Sequence, residues 1–344
     1  MHVADSALRR ERESGPYTGA MKSWFLQSTA DRATLELREV SAPDPAAGQL
    51  LVRMHASALN RGEFIVGHGL TKAGAAKPSG TEGAGEVVLV GTDVKGFKRG
   101  DKVMGRCAGA FSEYALMDAR EAIAMPPKLT WEEAAAIPLT FLVVHDMLVL
   151  QGRLKKDEWV LVTGVSSGVG VAALQAAKAL GAKVIGTSGS QAKLDKLKAH
   201  GLDLAVATRA PDFYDAVMKA TGGKGADLVV NTVGGTLFAE CVRSMAFEAR
   251  LATVGYVDNT LAATIDLQAL HARRLTLFGV SNKQRTPEQR ASGVPPFVRD
   301  FLPFFADGRI RPVIDSVHPF GELPEAKARM EGNEAVGKIV VKVI

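Results

Sequence analysis

Trp159-Val-Leu-Val-Thr-Gly-Val-Ser-Ser-Gly-Val-Gly-Val171 is the most informative run in the chain. Trp159 to Thr163 reads as a buried strand, and the Gly and Ser residues after it as a tight turn. Val169 to Leu180 reads as a helix whose Ala172, Ala173, Ala176, Ala177 and Ala179 form a small-residue face. A strand that enters a helix through such a turn leaves bare backbone N–H groups at the helix N-terminus, where a pyrophosphate can lie. Ser167 stands where the standard fingerprint has its second glycine. The second strand, Lys183 to Thr187, completes the strand–turn–helix–strand context that makes the reading specific to a dinucleotide.

The same alternation continues downstream. A helix is expected over Gln191 to His200, a strand over Leu204 to Ala207 and a helix over Asp212 to Thr221. Further strands follow at Leu228 to Asn231, Leu251 to Val254 and Leu275 to Val280. Strands alternating with helices imply right-handed βαβ units and a doubly wound parallel sheet. Upstream the texture is different. Thr34 to Val40, Gln49 to His55, Gly85 to Val90 and Asp101 to Met104 are short β-type runs, separated by Pro43, Pro45, Gly91, Gly96 and Gly100. Thr130 with Glu133 has capping-box spacing for a helix from Trp131, which Pro138 is expected to break. The chain ends in the β-rich Gly337-Lys-Ile-Val-Val-Lys-Val-Ile344. The fold class is therefore α/β. Residues 1–20 form a flexible extension, 21–140 and 283–344 a β-rich domain, and 141–282 the dinucleotide-binding domain.

The end of the second strand bears on which dinucleotide is bound. A site that prefers NAD ends this strand in Asp or Glu to grip the ribose hydroxyls. Here it reads Val184-Ile-Gly-Thr-Ser-Gly-Ser190, with no acid before Asp195, and offers Thr187, Ser188, Ser190 and Lys193 instead. Hydroxyls and an ammonium suit a 2′-phosphate, so the expected cofactor is NADP(H). Ser190 also reads as an ordinary N-cap and Lys193 as a surface lysine, and both readings can hold together.

Composition narrows the other classes. The net charge is +5, but the basic residues are scattered, with no basic stripe or recognised motif for nucleic acid. No apolar run approaches the ~20 residues that span a bilayer. The first 20 residues mix Arg and Glu and have no apolar segment of the kind a secretory signal needs. Cys107 and Cys241 are too few for a disulfide framework, which fits a reducing cytoplasm.

From about Met21 to Ile344 the chain resembles the zinc-independent quinone oxidoreductase branch of the medium-chain dehydrogenases/reductases. The markers are Ala58-Leu-Asn-Arg-Gly-Glu63, Gly80-Thr-Glu-Gly-Ala-Gly-Glu86, Phe111-Ser-Glu-Tyr-Ala115, Ala134-Ala-Ala-Ile-Pro-Leu-Thr140, Asn231-Thr-Val-Gly-Gly235, Pro312-Val-Ile-Asp315 and Gly337-Lys-Ile-Val-Val341. The resemblance implies a GroES-like catalytic domain, drawn from both chain ends, around a Rossmann domain. By this likeness Ser166, Ser167, Gly168, Val169 and Gly170 meet the pyrophosphate. Ser188, Ser190 and Lys193 meet the 2′-phosphate. Val233, Gly255 and Val280 line the nicotinamide side; Tyr256 and Asn282 are expected near the nicotinamide, with packing as the alternative for Tyr256, and Lys338 joins the cofactor ligands. Relatives often carry Tyr near the adenosine where this chain has Thr208, and Arg209 is expected to substitute.

Zinc-dependent relatives place a Cys in the segment matching Asn60 to Glu63 and a His where Thr81 stands. Zn²⁺ normally takes three protein ligands from Cys, His or carboxylate. His55 and His68 flank the region but read as packing or surface residues. No metal is expected. Without a Lewis acid, alkoxide chemistry is disfavoured. Hydride addition to a quinone or an α,β-unsaturated carbonyl needs only hydrogen-bond donors and a proton. Asn60, Arg61 and Thr140 are the expected catalytic residues, with an Arg61–Glu63 surface pair as the alternative for Arg61. Related reductases often carry Tyr shortly after this Asn; Phe64-Ile65 stands there, so the proton donor is open. An enoyl-thioester reductase and a non-catalytic NADPH-binding sensor or adaptor are the competing functions. The expected partners are a small-molecule quinone or enone and a second copy, in a homodimer through the edge strand at 274–280.

Overall fold

The computed structural model describes residues 19–29, 33–64, 74–282 and 284–344. Most of the expected extension, residues 1–18, lies outside the described residues, as does His68. The strands run in chain order as β1 (Ala20–Ser28), β2 (Ala33–Ser41), β3 (Gln49–Ala58), β4 (Gly74–Pro78), β5 (Glu82–Val90), β6 (Lys102–Ala108) and β7 (Tyr114–Ala124). Then come β8 (Trp159–Thr163), β9 (Lys183–Ser188), β10 (Leu204–Ala207), β11 (Ala226–Asn231), β12 (Met245–Thr253) and β13 (Thr276–Gly279), and finally β14 (Ile314–Pro319) and β15 (Lys338–Lys342).

Two compact units form. The first comprises residues 1–139, 286–302 and 314–344, and the second 140–285 and 303–313. The segment Pro303–Val313 thus joins the second unit, a return that no break in the sequence pattern signals.

In the first unit the strand order is β14-β15-β3-β5-β6-β7, and β3 also pairs with β7. That second pairing closes β3, β5, β6 and β7 into a small barrel within the expected β-rich domain. β2, β1 and β4 make a separate antiparallel sheet. Leu50, Val52, Met54, Val87, Val103 and Met117 are fully buried between the barrel strands. Close approach of β3 and β5 depends on two glycines. A Cβ on Gly83 would stand 2.7 Å from the Ala56 carbonyl oxygen, and one on Gly85 would collide with the Arg53 carbonyl. The expected capping box is present: the Thr130 hydroxyl accepts from Glu133 N–H, and the Glu133 carboxylate accepts from Thr130 N–H. Pro138 does more than break this helix, which ends at Ala135. It opens the next one, Pro138–His145, because proline fits a first helical turn that needs no N–H.

The second unit is a six-stranded sheet of order β10-β9-β8-β11-β12-β13, parallel throughout. Numbered from β8, this is the 3-2-1-4-5-6 order of the doubly wound fold, whose ligands bind where the order reverses. The reversal falls between β8 and β11. Leu161, Ile185, Val229 and Leu251 from four strands are fully buried against Phe213, Val217 and Cys241 of the covering helices. β13 ends the sheet, as expected of the edge strand at 274–280.

Candidate cofactor and catalytic site

At the β8–β11 reversal a buried polar pin sets the geometry. Thr163 Oγ1 donates to Asn231 Oδ1 at 3.0 Å and accepts from Thr232 N at 3.1 Å. Thr232 Oγ1 donates to the Thr163 carbonyl at 2.7 Å. Asn231 Oδ1 also accepts from the N–H groups of Val233 and Gly234, and Nδ2 donates to the Gly234 carbonyl. The two strand ends are thereby locked, and Val233 is held half-buried at the tip of β11.

The Gly-rich turn leaves β8 through Gly164 at φ +63°, where a Cβ would meet Thr232 Oγ1 at 2.7 Å. Ser167 then N-caps the helix Gly168–Ala179, its hydroxyl accepting from Gly170 N at 3.1 Å. Gly170 packs so closely that a Cβ would lie 2.6 Å from the Gly164 carbonyl oxygen. The missing second glycine is therefore no defect, since a serine cap does what that position requires and leaves the helix N-terminus bare of bulk. This cradle fits a pyrophosphate.

Beside it the β9 end gathers hydroxyls and the Arg209 guanidinium. Ser166 Oγ and Ser188 Oγ are 3.3 Å apart, Ser190 N–H donates to Ser188 Oγ, and Ser190 caps the next helix by accepting from Lys193 N. Arg209 lies across Gly189, where any Cβ would collide with its side chain. Asp195 is tied to Lys198 at 2.7 Å and to Gln191, so this acid serves its own helix. Thr187 differs from expectation: it is buried, and its hydroxyl accepts from Gly164 N, so it fastens the turn and leaves the phosphate cluster to the serines. In the same unit Gly255 and Tyr256 are half-buried after β12, Val280 is buried beyond β13, and Asn282 accepts from Arg285. Thr140 is buried in the first turn of Pro138–His145.

The first unit holds a second polar centre. The Lys338 ammonium, only 6 % exposed, donates to the Leu59 carbonyl at 2.9 Å, to Asn60 Oδ1 at 2.8 Å and to Glu82 Oε1 at 2.8 Å. An ammonium has three protons, and all three are committed. Lys338 was expected among the cofactor ligands; the structure sets it in this network instead. Asn60 Nδ2 donates to Glu63 Oε1 at 2.9 Å and to Glu82 Oε1 at 2.8 Å. Both its amide protons are used, so Asn60 is oriented by carboxylates where the sequence suggested a donor for substrate. Glu82 Oε2 accepts from Leu139 N at 2.7 Å, and Thr81 donates to Glu63 Oε1.

Arg61 and Glu63 do not pair. Arg61 donates to the Met330 carbonyl at 2.6 Å and to Asn333 Oδ1 at 2.7 Å, while Glu63 turns inward. Burial pushes the Glu63 carboxyl up to about 7, against the opposing pull of its bonds from Thr81 and Asn60. His55 stacks on Trp131 at 4.2 Å between centroids. Among the described residues no three His, Cys, Asp or Glu side chains come together as a metal site. Glu63 and Glu82 are the residues sequence reasoning missed. Glu82, an acid between Gly80 and Gly83 in a run otherwise lacking charge until Glu86, was the available signal, whereas Arg61 beside Glu63 masked the second.

Comparison with known proteins agrees with this architecture. The alcohol dehydrogenase GroES-like domain matches residues 46–127, and the family described as zinc-binding dehydrogenase matches 168–292. The quinone-oxidoreductase homolog of Spinacia oleracea chloroplasts is 30% identical over 317 residues, 88% of this chain and 92% of that protein. A highly reducing polyketide synthase of Emericella nidulans is 33% identical over 264 residues, 76% of this chain but 10% of the synthase. Among solved structures, an NAD-dependent alcohol dehydrogenase superposes with a TM-score of 0.81 at 30% identity, covering 94% of this chain and 100% of that one. A mycobacterial protein complexed with NADPH superposes with a TM-score of 0.83 at 25% identity, with the same coverage. The chain belongs to the medium-chain dehydrogenase/reductase family, among its quinone-oxidoreductase-like members, and is an oxidoreductase.

The raised Glu63 carboxyl makes stability depend on pH. Between the ordinary value of 4.5 and about 7 the folded chain keeps a proton that the unfolded chain has lost, so stability falls as pH rises through that window and levels off above it. At ~1.4 kcal/mol per unit the loss is about 3 kcal/mol. Denaturant titrations at pH 5 and 8 should show wild type losing on that order more than Glu63→Gln. Equal losses in the two proteins contradict the assignment.

Proposed function

We propose that the chain is an NADPH-dependent, zinc-free reductase of quinones or α,β-unsaturated carbonyl compounds. The observation that carries the cofactor choice is the β9 end, where Ser166, Ser188, Ser190 and Arg209 meet, Lys193 opens the helix that Ser190 caps, and the next acid along the chain, Asp195, is paired within its own helix. The NADPH complex of the mycobacterial protein supports it. When bound, the cofactor supplies the hydride. Ser167 and the N-terminus of Gly168–Ala179 hold its pyrophosphate, and Val233, Gly255, Tyr256, Val280 and Asn282 border the nicotinamide side.

Lys338, with Asn60 and Thr81 where zinc-dependent relatives carry ligands, supports the metal-free reading. The ammonium already neutralises Glu82, and neither the carboxamide nor the hydroxyl is a normal zinc ligand. Hydride addition to a conjugated carbonyl suits such a site, since an enolate needs hydrogen bonds rather than a Lewis acid. The polyketide synthase relative favours one second reading, reduction of an enoyl thioester. A screen following NADPH loss against quinones, enones and enoyl thioesters separates the two. Buried thiols at Cys107 and Cys241, both raised by burial, accord with the reducing cytoplasm we assign.

We also propose a homodimer through β13. The sheet ends there, and Leu261 and Leu267 on the approach to it are 74 % and 68 % exposed. An isologous contact along such an edge closes the sheet and limits further association.

Three outcomes follow. Two charge-assisted bonds at roughly 1.5–3 kcal/mol each should favour NADPH over NADH by about 10²–10⁴-fold in titrations. Lys193→Ala should cost NADPH roughly 1–3 kcal/mol and leave NADH almost unchanged; equal affinities in wild type refute the assignment. Chelator should leave turnover intact and elemental analysis find no stoichiometric zinc, whereas Zn²⁺-restored activity after EDTA rules the metal-free reading out. Light scattering should report near twice the 36.4 kDa chain mass, reduced by Leu277→Lys, and a strictly monomeric wild type rejects the β13 pairing.

A further inference from the structure

We propose that Gly189 and Thr208 are positioning residues that keep the Arg209 guanidinium open for the 2′-phosphate of the dinucleotide. This rests on the NADPH reading above, and it names the residues of the β9 end on which the selectivity turns.

Gly189 has no conformational reason to be glycine. Glycine costs backbone entropy, and its usual role is a left-handed turn or a close approach of backbones. Gly189 has no positive φ. The three atoms that a Cβ on it would meet first all belong to one side chain: Arg209 Cγ at 2.5 Å, Cδ at 2.7 Å and Nε closer still. The stem of Arg209 therefore lies on the backbone between Ser188 and Ser190, in the space that a side chain at 189 would fill. What this glycine accommodates is the arginine.

Thr208 fixes the other side. Its N–H donates to the Ser188 carbonyl at 3.0 Å, which ties the end of β10 to the end of β9. Its hydroxyl accepts from Ala210 N at 2.9 Å and donates to Asp212 Oδ1 at 2.6 Å. The backbone on both sides of Arg209 is thus pinned, and the nearest acid along the chain is engaged by a neutral hydroxyl. Among the described residues the Arg209 guanidinium has no hydrogen bond or ion pair, and the residue is exposed. Its five N–H donors are left for a ligand, next to the Ser188 and Ser190 hydroxyls. A guanidinium matches a phosphate in both shape and charge, and such bonds are roughly twice as strong as neutral ones. The 2′-hydroxyl of NADH gives the same group no charge to meet. The preference follows from that difference.

Equilibrium titrations of the full chain with NADPH and with NADH test the proposal without turnover. Arg209→Gln should reduce the NADPH-to-NADH preference roughly 10–100-fold, the worth of one charge-assisted bond. Gly189→Ala keeps the arginine but displaces it from its seat, so the preference should fall likewise. Adding Arg209→Gln to Gly189→Ala should bring little further loss, because both act through one contact. Thr208→Val should reduce the preference by releasing Asp212 to the arginine, and Thr208→Val with Asp212→Asn should recover it. Gly189→Ala should melt no lower than wild type, since only a flexible, unbonded side chain has to move. A lower melting temperature marks a backbone requirement and overturns the proposal. So does a wild-type preference in folded Gly189→Ala or Arg209→Gln, or a fully additive loss in the double variant; in each case the NADPH reading stands. Wild type that binds both dinucleotides equally overturns the reading and the proposal together.

Discussion

One buried ammonium organises the first unit. Lys338 sits on the C-terminal strand, yet its three protons reach the end of β3, the turn that follows it and the first residue of β5. Removing a cation from water is costly, and the cost is offset only where every proton finds an oxygen and a carboxylate supplies the opposite charge. Both conditions are met here, so β15, β3 and β5 are fixed in one register at the point where Asn60 turns inward. Asn60 in turn aligns Glu63 with Glu82. Take away the ammonium and two acids face each other with only amide and hydroxyl protons between them.

The second unit solves the corresponding problem without charge. Its strands β8 and β11 stay paired up to the reversal, and their ends are held by Thr163, Asn231 and Thr232 through neutral hydrogen bonds. Neutral groups suit this position, because the ligand that binds here brings its own negative charge. The N-terminal dipole of the helix Gly168–Ala179 favours such a charge, and a fixed acid at the strand end would oppose it. The two units thus divide the electrostatic task, with charge balanced internally in one and left to be balanced by a ligand in the other.

What was legible in the sequence was local. β8 and β10 have the bounds their periodicity indicates, and the Thr130–Glu133 capping box forms as its spacing requires. The end of β13 as an open edge followed from its place as the last alternating run. What escaped was set by contacts distant along the chain. Arg61-Gly-Glu63 reads as a solvated ion pair, but the Met330 carbonyl and Asn333, some 270 positions on, capture the arginine and leave the acid to turn inward. Lys338 looked like a cofactor ligand, because nothing near it in sequence reveals that Glu82 lies within 2.8 Å. The return of Pro303–Val313 to the second unit is of the same kind.

The glycines of β5 explain why the charged groups of this network are buried. Gly83 and Gly85 let β3 approach until no side chain fits between the backbones. Glu82, at the start of that close contact, is fully buried as a result, and its acidity must be answered inside the protein. A divalent metal would answer it with two positive charges and leave both acids ionised. An ammonium answers it with one, and the remaining acid can then hold a proton near neutral pH. The lysine thus sets the charge balance of this buried network, and with it the pH at which Glu63 ionises.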